Sequence, residues 1–397
     1  MKKIVIKKSQ WWLKLQYLPK NINFLQVKWY LPSIHMNKNK GEYMNNLKKL
    51  GLTALAGSLV AVSAHAGEIS VSGSANVTYK TKGGNTGKSL GTDKDVAFSG
   101  SGELDNGWTF TVSTLLTDAM AVSSSYTSLT MGSMGTVTFG ADTGGLGYAY
   151  DEETPQVYEQ TSDAQQNSAN IVGNATDSNM ITYNAPSMDI GGATISIGLE
   201  YSPHASDSAA NDGGTTTYNE ARGSGHGAGV TVAYDALKVG VYAAEIENMT
   251  PDSGDDQSDS FEGVWYAKYS FGPVSIGYSE SYLENGVADT DDTAEAATAV
   301  KTVRTATGLF ESESMSIAFN VNDNLSVSYT ETDDTYDAQS DKATNIIDVT
   351  QTTEALQVAY SMGGMSIKAY NMETKNPGYD SDAATVSATE IALGLAF

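Results

Sequence analysis

Residues 69–80 of the chain read ISVSGSANVTYK. Ile69, Val71, Gly73, Ala75, Val77 and Tyr79 alternate with Ser70, Ser72, Ser74, Asn76, Thr78 and Lys80. An amphipathic helix would repeat every 3.6 residues, so a sustained period of two predicts a strand with one apolar and one polar face. The same alternation returns in Ile195-Ile197-Leu199-Tyr201, Met315-Ile317-Phe319-Val321, Leu356-Val358-Tyr360-Met362 and the closing Ile391-Leu393-Leu395-Phe397. Followed along the whole chain, it predicts 16 strands, near 68–80, 94–104, 107–117, 123–131, 135–141, 178–185, 192–202, 225–234, 237–246, 260–271, 273–282, 309–321, 324–333, 349–362, 364–373 and 386–397.

The links between these strands alternate in length. After even-numbered strands they are short and built of hairpin residues, as at Asp105-Asn106, Asp235-Ala236, Gly272, Asn322-Asp323 and Gly363, with 186–191 slightly longer. After most odd-numbered strands they are long, polar and acidic, at 81–93, 142–177, 203–224, 247–259, 283–308, 334–348 and 374–385; only 118–122 is brief. An even number of strands, trimmed at one end and looped at the other, predicts an all-β antiparallel transmembrane barrel with short periplasmic turns and long external loops. The aromatic positions agree. Tyr79, Tyr201, Tyr278 and Tyr329 come late in odd strands, and Tyr234, Tyr269, Phe271, Tyr360 and Phe397 late in even ones, all on the apolar face. That pattern places one aromatic girdle at each membrane interface. In lipid every backbone group needs a partner, so the last strand must close on the first, with Phe397 at the inner interface. A terminal aromatic preceded by alternating apolar residues also resembles the signature that the barrel-assembly machinery recognises.

Composition adds a compartment. The chain has no cysteine, which removes disulfides as a source of stability. Residues 44–66, MNNLKKLGLTALAGSLVAVSAHA, carry Lys48 and Lys49, a short apolar core and the small-x-small site Ala64-His65-Ala66. This is the form of a signal peptide cleaved after Ala66, leaving 67–397 as the exported barrel. The preceding residues 1–43 hold nine Lys with Trp11, Trp12 and Trp29. They are expected to be a gene-model artefact upstream of a true start at Met44; a genuine basic extension is the alternative.

Of the 23 basic residues 11 precede Gly67, and of the 47 acidic residues one does, leaving 12 against 46 in the mature part. So acidic a chain argues against nucleic acid as a partner and suits the handling of cations. The runs PDSGDDQSDS (251–260) and ADTDDT (288–293) offer carboxylates for weak calcium binding but lack EF-hand spacing. Solvated loops are the simpler reading, and no other cofactor is expected. Beyond Gly67 the only histidines are His204 and His226, in or beside a Gly-rich loop without a nucleophile elbow, so no enzyme is expected.

Three further stretches carry a family resemblance: VAFSGSGELDNGWTFTVST (96–114), SLTMGSMGTVTFGADTGGLGYAYDE (128–152) and the terminal Phe397. Taken in order with the opening strand, they resemble the Gram-negative porins of the Rhodobacter type, the alphaproteobacterial branch, over about 67–397. The resemblance implies a homotrimer of 16-stranded barrels, with outer-membrane lipid around it. It also implies a third long loop folded into the lumen, its acids facing basic wall residues. In this sequence that loop is 142–177, with Asp142, Asp151, Glu152, Glu153, Glu159, Asp163 and Asp177. By parity Lys80, Lys238, Lys268 and Lys368 face the lumen, as do Glu103, Glu200, Glu262 and Glu390, while Arg222 and Arg304 fall in loop-like regions. Lys80 and Lys368, on strands close across the seam, are the expected counter-charges. The implied function is a water-filled channel for passive diffusion of ions and small hydrophilic solutes, preferring cations. A plugged barrel with an adhesive or structural role is the alternative.

Overall fold

The computed structural model describes residues 69–82, 88–141, 145–151, 153–161, 172, 180–205, 222–248, 259–285, 308–337 and 348–397. The expected signal peptide, the extension before it, Asp142, Glu152, Asp163, Asp177, Arg304 and nearly all of both calcium-candidate runs lie outside them. The strands are β1 (Ile69–Lys82), β2 (Lys88–Glu103), β3 (Thr109–Leu116), β4 (Val122–Thr130), β5 (Thr136–Ala141), β6 (Met180–Asn184), β7 (Met188–Ile190), β8 (Ala193–Ser202), β9 (Arg222–Tyr234), β10 (Leu237–Asn248), β11 (Ser260–Phe271), β12 (Val274–Glu284), β13 (Leu309–Asn320), β14 (Leu325–Asp337), β15 (Val349–Met362), β16 (Met365–Lys375) and β17 (Val386–Ala396).

Apart from β6 and β7, which do not pair with each other, each strand pairs antiparallel with its neighbours in chain order, and β17 returns to pair with β1, so the sheet is closed. β6 and β7 both pair with β8 and form one stave, making 16 in all. Asn184 stands opposite Gly198 and Met188 opposite Ile195, so three residues, Ala185-Pro186-Ser187, span two on the partner. Proline has no N–H to give the ladder, and the extra residue is a bulge. The sixth strand therefore runs on to Ile190, through most of the stretch that reads as a link. The hairpin turns at the trimmed end hold Gly272 (φ 58°) and Gly363 (φ 61°) in the left-handed region that glycine tolerates.

At mid-height the burial order is the inverse of a water-soluble sheet. On β13, Ser312, Ser314 and Ser316 are buried while Met315, Ile317 and Phe319 are exposed, Met315 to 63%. Continuous exposed apolar surface of this kind is what a barrel presents to lipid. Tyr79 and Tyr201 are exposed toward the loop end, and Tyr234, Tyr269, Phe271, Tyr360 and Phe397 toward the turn end. Tyr278 and Tyr329, expected in the outer girdle, stand only four residues above the turn-end starts of β12 and β14, because both strands run on past them to Glu284 and Asp337. At the seam Gly73 N donates to Phe397 O (2.9 Å) and Phe397 N to Gly73 O (3.0 Å). The chain thus ends paired in the sheet. A Cβ at Gly73 would stand 2.6 Å from the Phe397 ring, so glycine is what lets the terminal aromatic lie there.

Candidate functional site: the third loop on the lumen wall

The described part of the loop after β5 runs along the inner wall, and the wall is cut to receive it. Leu146 N donates to the Glu200 carboxylate (2.5 Å), whose other oxygen meets the Tyr242 hydroxyl. Tyr150 lies over Gly229 so closely that a side chain there would displace it, and its ring stacks 5.5 Å from Tyr242. Pro155 occupies the space above Gly277 in the same way. Further along, Val157 N donates to Ser328 Oγ (3.2 Å), Tyr158 N to Gln357 Oε1 (2.8 Å), and Thr161 meets Thr332 (2.9 Å). The loop is thereby fastened to staves from β8 to β15.

Charge joins it to the wall at two places. Glu153 reaches Lys268 and, at 3.7 Å, Lys238. These lysines stand directly opposite one another on β10 and β11, a like-charge pair that repels unless neutralised. One loop carboxylate serves both. At the seam Tyr158 OH donates to Glu390 Oε1 (2.6 Å), Tyr370 OH to Glu390 Oε2 (3.1 Å), and Lys80 Nζ lies 3.7 Å from the same carboxylate. Burial, then the hydrogen bond to Glu390 and its charge, push the Tyr158 phenol far above its ordinary range. Lys368 Nζ sits 5.2 Å over the Tyr158 ring, a cation–π contact.

Beyond these polar contacts the loop end of the barrel holds an apolar cluster on the inner face. Ile246, Leu283, Phe310, Tyr336 and Val349 point inward there and gather Val172 of the third loop and Tyr379 of the last loop. Phe310 lies 5.0 Å from the Tyr336 ring and 5.1 Å from that of Tyr379.

A closed barrel of 16 staves carrying a loop on its inner wall has known counterparts. The sequence profile described as Gram-negative porin matches residues 51–389. The chain is a Gram-negative porin. Among solved structures, OmpF of Salmonella typhi in complex with daunomycin is similar over 84% of this chain and 98% of its own, at 13% identity and TM-score 0.61. A refined porin structure follows at 15% identity and TM-score 0.58, over 83% and 100%. A loop-deletion variant of OmpT from Vibrio cholerae follows at 13% and 0.57, over 84% and 100%. No curated protein sequence matches significantly. The porin lies in the outer membrane.

Of the site residues expected from the porin's sequence, Asp151, Glu153 and Glu159 lie in the described part of the loop. Asp151 is buried, and the Glu159 backbone oxygen accepts from Gln357. Glu200 and Lys80 face the lumen and engage the loop or the seam carboxylate, and Glu103 stands exposed at the turn end of β2. The counter-charges differ from the expectation: Lys238 and Lys268, rather than Lys80 and Lys368, take the loop acid, because the loop passes β10 and β11 before reaching the seam. Tyr158, Tyr370 and Gln357 had no role in the sequence reading. The signal for the two tyrosines is weak: Tyr370 falls on the polar face of its strand, and Tyr158 is one residue from Glu159.

Proposed function

We propose that the porin is a passive diffusion channel for ions and small hydrophilic solutes, working as a homotrimer and favouring cations. Support for the cation preference comes from how the lumen lysines are spent. Lys238 and Lys268 share Glu153, and Lys80 lies against Glu390. Lys368 rests over an aromatic ring instead. Two carboxylates thus answer half of the charge of the four wall lysines, while the mature chain keeps 46 acids against 12 bases. Charged groups at a narrow place in a pore select the opposite ion. The inner apolar cluster narrows the loop end of the lumen on the β10–β15 side. Acids at the constriction therefore act at short range, where screening with a length of about 8 Å leaves them effective. Single-channel recording in planar bilayers tests the channel itself: stepwise conductance is expected, and a silent bilayer with correctly folded protein would support the plugged-barrel alternative.

A further inference from the structure

The outer face of the barrel is not equally apolar all the way round. On β1 the outward residues Ile69, Val71, Gly73, Ala75, Val77 and Tyr79 carry no charge, and on β8 Ala193, Ile195, Ile197, Leu199 and Tyr201 carry none. On five successive strands the first outward carboxylate comes six to eight residues above the lowest outward apolar residue at the turn end. These pairs are Val274 and Glu280 on β12, Val321, just past the end of β13, and Glu313, Leu325 and Glu331 on β14, Met362 and Glu354 on β15, and Met365 and Glu373 on β16. At the rise of a strand tilted about 40°, six to eight residues climb about 15–20 Å, whereas the apolar band of an outer-membrane barrel is about 25 Å tall.

The carboxylates also face one another. Glu280 is opposite Glu313, Glu313 opposite Asp333, Glu331 opposite Glu354, and Glu354 opposite Glu373. Like charges directly across a ladder repel, and in hydrocarbon nothing would screen them. Lys375, 3.3 Å from Glu354, is the one basic partner of this row among the described residues. Glu280 is held by Trp265 Nε1 (2.9 Å), Tyr278 OH (2.6 Å) and Tyr282 OH (3.1 Å), amphipathic side chains of the kind that mark a membrane interface.

A separate observation concerns the inner face. Above the acidic row the sheet turns from lipid order to water order. Leu283, Phe310, Tyr336 and Val349 are buried inward, while Glu284, Glu311, Asp333 and Thr335 point outward. That is the pattern of a sheet standing in water.

We infer that the outer boundary of the hydrocarbon dips along β12–β16. The hydrated head groups of outer-leaflet lipids, with their counter-cations, meet the barrel at the row Glu280–Glu313–Glu331–Glu354–Glu373, and the membrane is thinned there relative to β8. Local thinning is one of the ways a bilayer meets a short apolar span. The partner is lipid because the row is continuous with the apolar band that already faces lipid.

The chain has no cysteine, so single spin labels can be placed cleanly. The full porin, reconstituted in dioleoyl phosphatidylcholine vesicles and checked for heat-modifiable mobility, would carry a nitroxide at Glu313→Cys, Met315→Cys, Glu354→Cys or Leu199→Cys. Leu199 is six residues above Ala193, the same climb as Glu313 above Phe319. Collision with a water-soluble nickel chelate is expected to dominate at 313 and 354, and collision with oxygen at 315 and 199. Labels at Thr352→Cys and Tyr201→Cys, each eight residues up from Tyr360 and Ala193, keep every acid in place and must show the same contrast. Oxygen-dominated collision at 313, 354 and 352 would overturn the dip. Shielding of those labels from both reagents would also overturn it, by showing that protein rather than lipid covers this face.

Discussion

Glu153 is the residue on which the third loop's electrostatics turn. Its carboxylate lies between Lys238 and Lys268, which would otherwise oppose each other across the ladder. In Glu153→Gln two lumen ammoniums lose their shared counter-charge. The expected result is a reversal potential shifted toward anions in a KCl gradient, with the shift largely recovered in Glu153→Gln with Lys238→Met and Lys268→Met. No recovery would mean that the loop, rather than local charge, controls selectivity. Strand parity alone puts both lysines on the lumen face, so that much was legible in the sequence. Their pairing with Glu153 was not, because it depends on the path of an irregular segment, for which no periodicity exists. The same holds for Tyr158 and its bond to Glu390.

The seam is the element whose sequence states its structure most directly. Alternation and the requirement for closure predict that the last strand pairs with the first, and Ser74 opposite Ala396 through Lys82 opposite Ala388 bears this out. The aromatic ring of Phe397 lies over Gly73, which has no room for a side chain. Phe397→Ser and Gly73→Val are both expected to lower the yield of heat-modifiable trimer on a gel, with single-channel conductance nearly unchanged in whatever assembles. Normal trimer yield in Phe397→Ser would remove the terminal residue from recognition by the assembly machinery. The interrupted stave β6–β7 was harder to read: Ala185-Pro186-Ser187 has the composition of a turn, and only pairing with β8 reveals it as a bulge inside a strand. Inside the loop end, Phe310→Ala would empty a fully buried site between Tyr336 and Tyr379. Truncations of this kind cost about 3–5 kcal/mol, so its unfolding midpoint in urea should fall clearly below the wild type. An unchanged midpoint would show that the cluster contributes little to stability.

For the whole molecule, the short and long links declared a closed barrel with a trimmed and a looped end, and the structure has that order except after β1, where β2 already begins at Lys88 and the expected long link 81–93 shrinks to residues 83–87. What the links could not declare is that the two faces exchange character partway up β10 and β12–β15, apolar residues turning inward and polar or acidic ones outward. A period of two is the same on both sides of that exchange, and only the position of the boundary with water distinguishes them. The mature porin is expected to begin at Gly67, and N-terminal sequencing of the outer-membrane form checks this; residues 1–43 in that form would refute both the cleavage site and the artefact reading. The central claim is a water-filled, cation-preferring channel. Its most direct test is the reversal potential of the wild-type porin in a planar bilayer under a KCl gradient. The account predicts the sign for potassium moving more freely than chloride; a potential of the opposite sign would contradict it.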